Sequence, residues 1–152
     1  MGAVGKHFPG HGHVRADSHA ELPVDVRRYA DIEQADIVPF MRLMRAGLPA
    51  IMPAHIVFSD VDSRPAGFSA VWLKRILRDE LGFDGLVFSD DLSMEGARTL
   101  GGITERVQAA LEAGCDMVLT CNDHPAADDL LARWQPAPQP DLARRAERMA
   151  GR

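Results

Sequence analysis

The sequence predicts an α/β fold, a partial (β/α)8 barrel of the TIM type built from about four βα units. Three observations carry that prediction. Four short apolar runs alternate with segments of helical period. The runs are apolar at consecutive positions, as strands buried on both faces of a parallel sheet must be. Each run then ends in polar, chemically capable residues: Lys6 and His7, then His55, then Asp90 and Asp91, then Asn122. Strict alternation implies parallel strands with right-handed crossovers, which leaves a doubly wound open sheet and a barrel in competition. Barrel enzymes set reactive groups on the C-terminal ends of several strands, whereas an open sheet gathers them at one switch point. The spread of polar run-ends favours the barrel.

The elements follow in order. The first run is Gly2 to Phe8, and a glycine- and histidine-rich loop continues from Pro9 to about Pro23. A helix is expected around Pro39 to Ala46. Pro39 suits a first turn, Phe40, Leu43 and Met44 share a face, and Gly47 suits the position just past the end. The second run, Ala50 to Ile56, leads to a helix that Ser69 can cap and Gly82 can end, with Leu73, Ile76, Leu77 and Leu81 turned to a core. The third run, Gly85 to Asp90, opens into a loop with Ser93, Glu95 and Gly96. A helix then runs from Thr104 to Gly114 on Val107, Ala110 and Leu111. The fourth run is Met117 to Thr120, and a last barrel helix starts near Pro125 and carries Leu130, Leu131 and Trp134. Gln135 to Pro140 reads as a stiff linker, and Asp141 to Arg152 as a short arginine-rich helix in solvent.

Composition narrows the function classes. The chain has 152 residues, 46% hydrophobic and 26% charged, which suits one folded domain. A formal net charge of −5 argues against nucleic acid or an anionic membrane as partner. No apolar stretch approaches the roughly 20 residues of a membrane span. Cys115 and Cys121 form no CxxC pair and read as thiols of a reducing compartment, so a cytoplasmic enzyme is expected. A full barrel takes about 250 residues, so four units are expected to pair with something or to be part of a longer chain.

Two groups of residues offer chemistry. His7, His11, His13 and His19 crowd a short glycine-rich stretch, but their spacing matches no familiar metal motif. Asp17 and His19 differ from the rest. Residues two apart in an extended segment point to one side, so the carboxylate can orient the imidazole for proton transfer near neutral pH. Asp90 and Asp91 end a buried run, where adjacent carboxylates are costly unless something pairs or uses them. A structural pair is one reading. The other joins a carboxylate nucleophile to a separate proton donor, which is the chemistry of glycosyl transfer. The sequence has no serine elbow, P-loop or dinucleotide fingerprint.

Lys6-His7-Phe8-Pro9-Gly10-His11-Gly12, continued to Asp17-Ser18-His19, resembles the hallmark of bacterial β-N-acetylglucosaminidases of glycoside hydrolase family 3. Ile51-Met52-Pro53-Ala54-His55 and the segment from Phe88 to Ala97 resemble that family too, in the same order and spacing. The resemblance covers about residues 2 to 134. It implies that 1–134 form the C-terminal half of the catalytic barrel, with 135–152 as linker and terminal helix. It further implies Asp90 as nucleophile, His19 as acid/base, Asp17 as its partner, and Lys6, His7 and His55 as substrate-binding residues. The implied substrate is a muropeptide bearing terminal N-acetylglucosamine, cleaved in cell-wall recycling without metal or organic cofactor. A half barrel is expected to be inactive alone or to self-associate through uncovered strand edges. A metal-dependent hydrolase using His7, His11, His13 and His55, or a non-catalytic remnant, are the alternatives.

Overall fold

The computed structural model describes residues 2–16, 18 and 21–150. The chain opens with strand β1 (Val4–Phe8), then a two-residue strand β2 (Val24–Asp25) and helices α1 (Tyr29–Ala35) and α2 (Ile37–Arg45). Strands β3 (Ala50–Pro53) and β4 (Val57–Phe58) follow, then a 3₁₀ turn at Ala66–Phe68 and a π-type helix at Val71–Glu80. Next come β5 (Leu86–Asp91), the short α3 (Glu95–Arg98), α4 (Ile103–Ala113) and β6 (Met117–Leu119). Helices α5 (His124–Arg133) and α6 (Leu142–Ala150) close the chain.

β1, β3, β5 and β6 form one sheet in that order, and every pairing is parallel. Each strand of this sheet lies beside the next one in sequence, with no reversal of strand order. A doubly wound sheet needs such a reversal. The α/β fold is therefore an arc of a (β/α) barrel, as the sequence predicted. The four expected runs are the four strands of this arc. β2 and β4 form a separate parallel pair beyond the strand ends.

Helix limits follow local chemistry. Pro39 lies in the first turn of α2, and Gly47 takes φ +87° just past its end. Gly82 (φ +69°) and Gly114 (φ +125°) do the same after the π-type helix and α4, a left-handed conformation that costs glycine little. Ser69 caps as expected, its Oγ accepting from the Trp72 N–H at 3.2 Å. The helix it opens winds more widely than an α-helix, and Leu81 N–H reaches back to Ile76 O. Between sheet and helices, Phe8 meets Phe40 and Trp72 edge-on, and Phe58 meets Trp72 from the side.

Three expectations change. Helix α1 was not visible in the pattern. Leu131 projects into solvent, while Leu130 and Trp134 pack on the core, because adjacent positions on one helix cannot both face inward. The terminal helix α6 is docked rather than solvated: Arg144 and Arg148 bond the Asp84 carboxylate, and Arg145 bonds Asp116.

Candidate active site

β1 and β5 are separated by β3, so their backbones stand roughly 10 Å apart. Even so, His7 Nε2 of β1 comes within 3.9 Å of Asp90 Oδ2 of β5. Both side chains must therefore lean over β3 from the same face, at the C-terminal strand ends. Lys6 is exposed beside them. The Lys6–His7 and Phe8–Pro9 peptide bonds are cis.

Asp90 and Asp91 have separate tasks. Asp90 Oδ1 accepts the Asp91 N–H at 2.9 Å, and Oδ2 is the oxygen nearer His7. At 3.9 Å that approach is too long for a hydrogen bond. The Asp90 side chain is 12% exposed. Asp91 is tied down: its carboxylate accepts from Ser93 N–H and Oγ–H, from Cys121 N–H and from Asn122 Nδ2. Burial pushes the Asp91 carboxyl up, but the bonds from Ser93, Cys121 and Asn122 outweigh it and hold it below the usual range. Asp91 thus fits the structural reading of the pair, fastening β5 to the loop after β6.

Desolvation by burial lowers the His7 imidazole. Lys6, His11 and His55 add to that effect, and Asp90 opposes it. His7 is therefore held toward its neutral form. A neutral His7 does not engage Asp90 as a cation would, which leaves the carboxylate available as a nucleophile.

His55 follows β3 and is 1% exposed. Its ring stacks on Phe68 with centroids 5.2 Å apart and planes 7° apart. Nε2–H donates to the Asp91 carbonyl at 3.1 Å, and Nδ1 is buried without a partner among the described residues. Burial lowers its pKa as well. In this position His55 presents almost no surface to a sugar.

The histidine-rich loop crosses the same end of the sheet. His11 stands 6.0 Å from His7, ring to ring, and its Nε2 lies 3.4 Å from Ser18 Oγ. The Ser18 carbonyl accepts the Gly96 N–H just beyond Asp90 and Asp91. Gly96 permits this approach: a Cβ there would stand 3.1 Å from the His55 Cβ and 3.2 Å from the Ser18 oxygen. Asp17 and His19 lie outside the described residues. Among the described residues, no group of three or more His, Cys, Asp or Glu is placed to hold a metal ion. No described helix is long and apolar enough to cross a membrane.

Sequence reasoning missed two parts of this region. The Cys121 N–H and the Asn122 amide serve Asp91, and only the polar end of the fourth run hinted at that. Phe68 carries His55, and no pattern signalled it.

A barrel arc with a carboxylate, imidazoles and a lysine at its C-terminal strand ends has the layout of a barrel-enzyme active site. The sequence profile described as Glycosyl hydrolase family 3 N terminal domain matches residues 1–149. The chain belongs to that family. It is 61% identical over 142 residues to a Beta-hexosaminidase of Thiobacillus denitrificans, covering 91% of this chain and 39% of that protein. A crystal structure of NagZ from Neisseria gonorrhoeae in complex with N-trifluoroacetyl-D-glucosamine is 49% identical with TM-score 0.88, covering 98% of this chain and 42% of the other. A family 3 β-N-acetylglucosaminidase from Paenibacillus is 32% identical with TM-score 0.85, covering 99% and 30%. The chain thus spans about two-fifths of the curated relatives it matches.

Proposed function

We propose that this chain supplies the nucleophile half of the catalytic barrel of a retaining β-N-acetylglucosaminidase, with residues 135–152 as linker and terminal helix. One observation carries the reading: Asp90 stands at a strand end with one oxygen anchored and the other turned to a histidine whose pKa burial lowers. In the first step Asp90 Oδ2 attacks the anomeric carbon of N-acetylglucosamine. The glycosidic C–O bond breaks, and His19, oriented by Asp17, protonates the departing oxygen. Neutral His19 then takes a proton from water, which attacks the glycosyl-Asp90 ester and frees the sugar with retained configuration. Lys6 and His7 hold ring hydroxyls.

The names of the relatives support this substrate class. Peptidoglycan-derived muropeptides in the cytoplasm are the proposed source of the sugar. β1 and β6 are the outer strands of the four-stranded arc, with Val4 and Met117 exposed on them. These edges would meet the remaining barrel strands, or a second copy where those are missing.

The test is a chromogenic N-acetylglucosaminide, assayed on this chain and on the chain joined to the remaining barrel strands of the Thiobacillus relative. Asp90→Asn should lower kcat of the joined protein on the order of a thousandfold or more. Full activity in that variant would remove Asp90 from the role of nucleophile.

A further inference from the structure

We propose that His55 is a positioning residue: it sets the Asp90 nucleophile through Asp91 and does not contact the sugar. The inference rests on the reading of Asp90 given above and deepens it. The geometry is a short relay. His55 Nε2–H holds the Asp91 carbonyl, and the Asp91 N–H holds Asp90 Oδ1. The remaining groups of Asp91 are also fixed, its carboxylate by Ser93, Cys121 and Asn122, and its carbonyl a second time by the Met94 N–H. Asp91 is thus pinned from the β6 side and from its own turn. His55 is the contact that pins it from β3.

A second observation separates this role from plain packing. His55 Nδ1 is buried and has no partner among the described residues, and it faces toward Gly67, where an added Cβ would stand 3.7 Å away. An orphaned buried nitrogen costs stability. A phenylalanine would stack on Phe68 equally well without that cost. A histidine held at a site where an apolar ring packs better has a task other than stability, and its one side-chain bond among the described residues goes to Asp91. The same burial argues against sugar contact, because a hydroxyl needs an exposed atom to bond.

The two functions of the ring can be separated by substitution. His55→Phe keeps the stack and removes the donor. His55→Gln keeps a donor of similar reach and removes the stack. In the joined protein, His55→Phe should hold or raise Tm, lower kcat about ten- to a hundredfold and leave KM within about twofold. His55→Gln should lose Tm and recover most of the kcat. A raised KM at unchanged kcat would make His55 a sugar ligand and overturn the proposal. So would a parallel loss of Tm and kcat in both variants.

Amide hydrogen exchange gives a measure that needs no turnover. In His55→Phe, the Asp91 amide should exchange about tenfold faster while the Val87 amide, bonded to Asp116 deeper in β5, is unchanged. Equal protection of Asp91 in both proteins would also overturn the proposal. If the unaltered joined protein fails to cleave the glycoside, the functional reading fails, and the exchange result still decides the role of His55.

Discussion

At the scale of single residues, the half-buried His7 and the buried His55 make the fold sensitive to acid. The folded chain holds His7 and His55 below the ordinary histidine value, chiefly through desolvation. For His55 the carboxylates of Asp90 and Asp91 pull the other way and Arg106 adds to the lowering. Above pH of about 6.5 both states of the chain carry neutral rings, and no stability is lost. As pH falls through that value, the unfolded chain takes up protons that the folded chain refuses. Stability therefore declines from there downward. The depressed carboxylates of Asp25 and Asp91 act only further down, below the ordinary aspartate range. A thermal scan should show Tm falling by a few degrees between pH 7.5 and 5.5, and less steeply in His55→Phe. Equal slopes in the two proteins would mean that His55 takes no part. This residue was legible in the sequence as a polar group at a strand end, but its burial was not. Phe68, which carries the ring, lies thirteen positions further on in the short 3₁₀ turn, too brief to show a period.

Among the elements, β2 is joined to β4 by its ladder and to the start of α2 by charge. Arg27 spans two carboxylates, donating to Asp25 from Nε and Nη2 and to Asp36 from Nη1 and Nη2. Asp25 ends β2 with its side chain 2% exposed, and Asp36 begins α2. Gly10 leaves β1 against the same Asp36, and an added Cβ there would come within 2.6 Å of the Asp36 Cβ. The clamp therefore joins the base of the histidine-rich loop to α2. Arg27→Ala would leave the Asp25 charge buried and unpaired, so a loss of about 3–5 kcal/mol is expected in urea titration. A loss under about 1 kcal/mol would show that the pair is effectively solvated. None of this was readable, because the partners belong to different elements. Helix α1 escaped notice for the same reason. Its one buried residue is Ile32, which gives no period, and its first free N–H, at Tyr29, is accepted by Asp60, 31 positions away. The helices that were legible announce themselves locally, as α2 does with Pro39 and Gly47 and α4 with Gly114.

Across the whole molecule, the sheet has a chemical end and a structural end. His7, His55 and Asp90 stand where strands finish. Where strands begin, there is an ion network. Asp116, just before β6, accepts from Arg78 and from the Val87 N–H with Oδ2, and from Arg145 with Oδ1. Arg78 also donates to the carbonyls of Phe83 and Gly85 ahead of β5. Through Arg144, Arg145 and Arg148, α6 lies across these strand starts, and Met149 reaches Gly2 ahead of β1. The strand order and the polar strand ends made the upper end legible. The lower end was hidden, because an arginine-rich tail gives no sign of which carboxylates it will meet. The division makes a prediction that spans the molecule. Asp116→Ala removes the acceptor that two partly buried guanidinium groups share, leaving Arg78 with the Phe83 and Gly85 carbonyls and Arg145 with longer contacts to Asp84 and Asp141, at an expected cost of about 3–5 kcal/mol. Since Asp116 lies at the opposite end of the strands from Asp90, kcat per folded molecule in the joined protein should remain within about twofold. Urea titration and active-site-normalised turnover measure the two quantities separately. A kcat that fell with the stability would mean that the strand starts and the strand ends do not act independently.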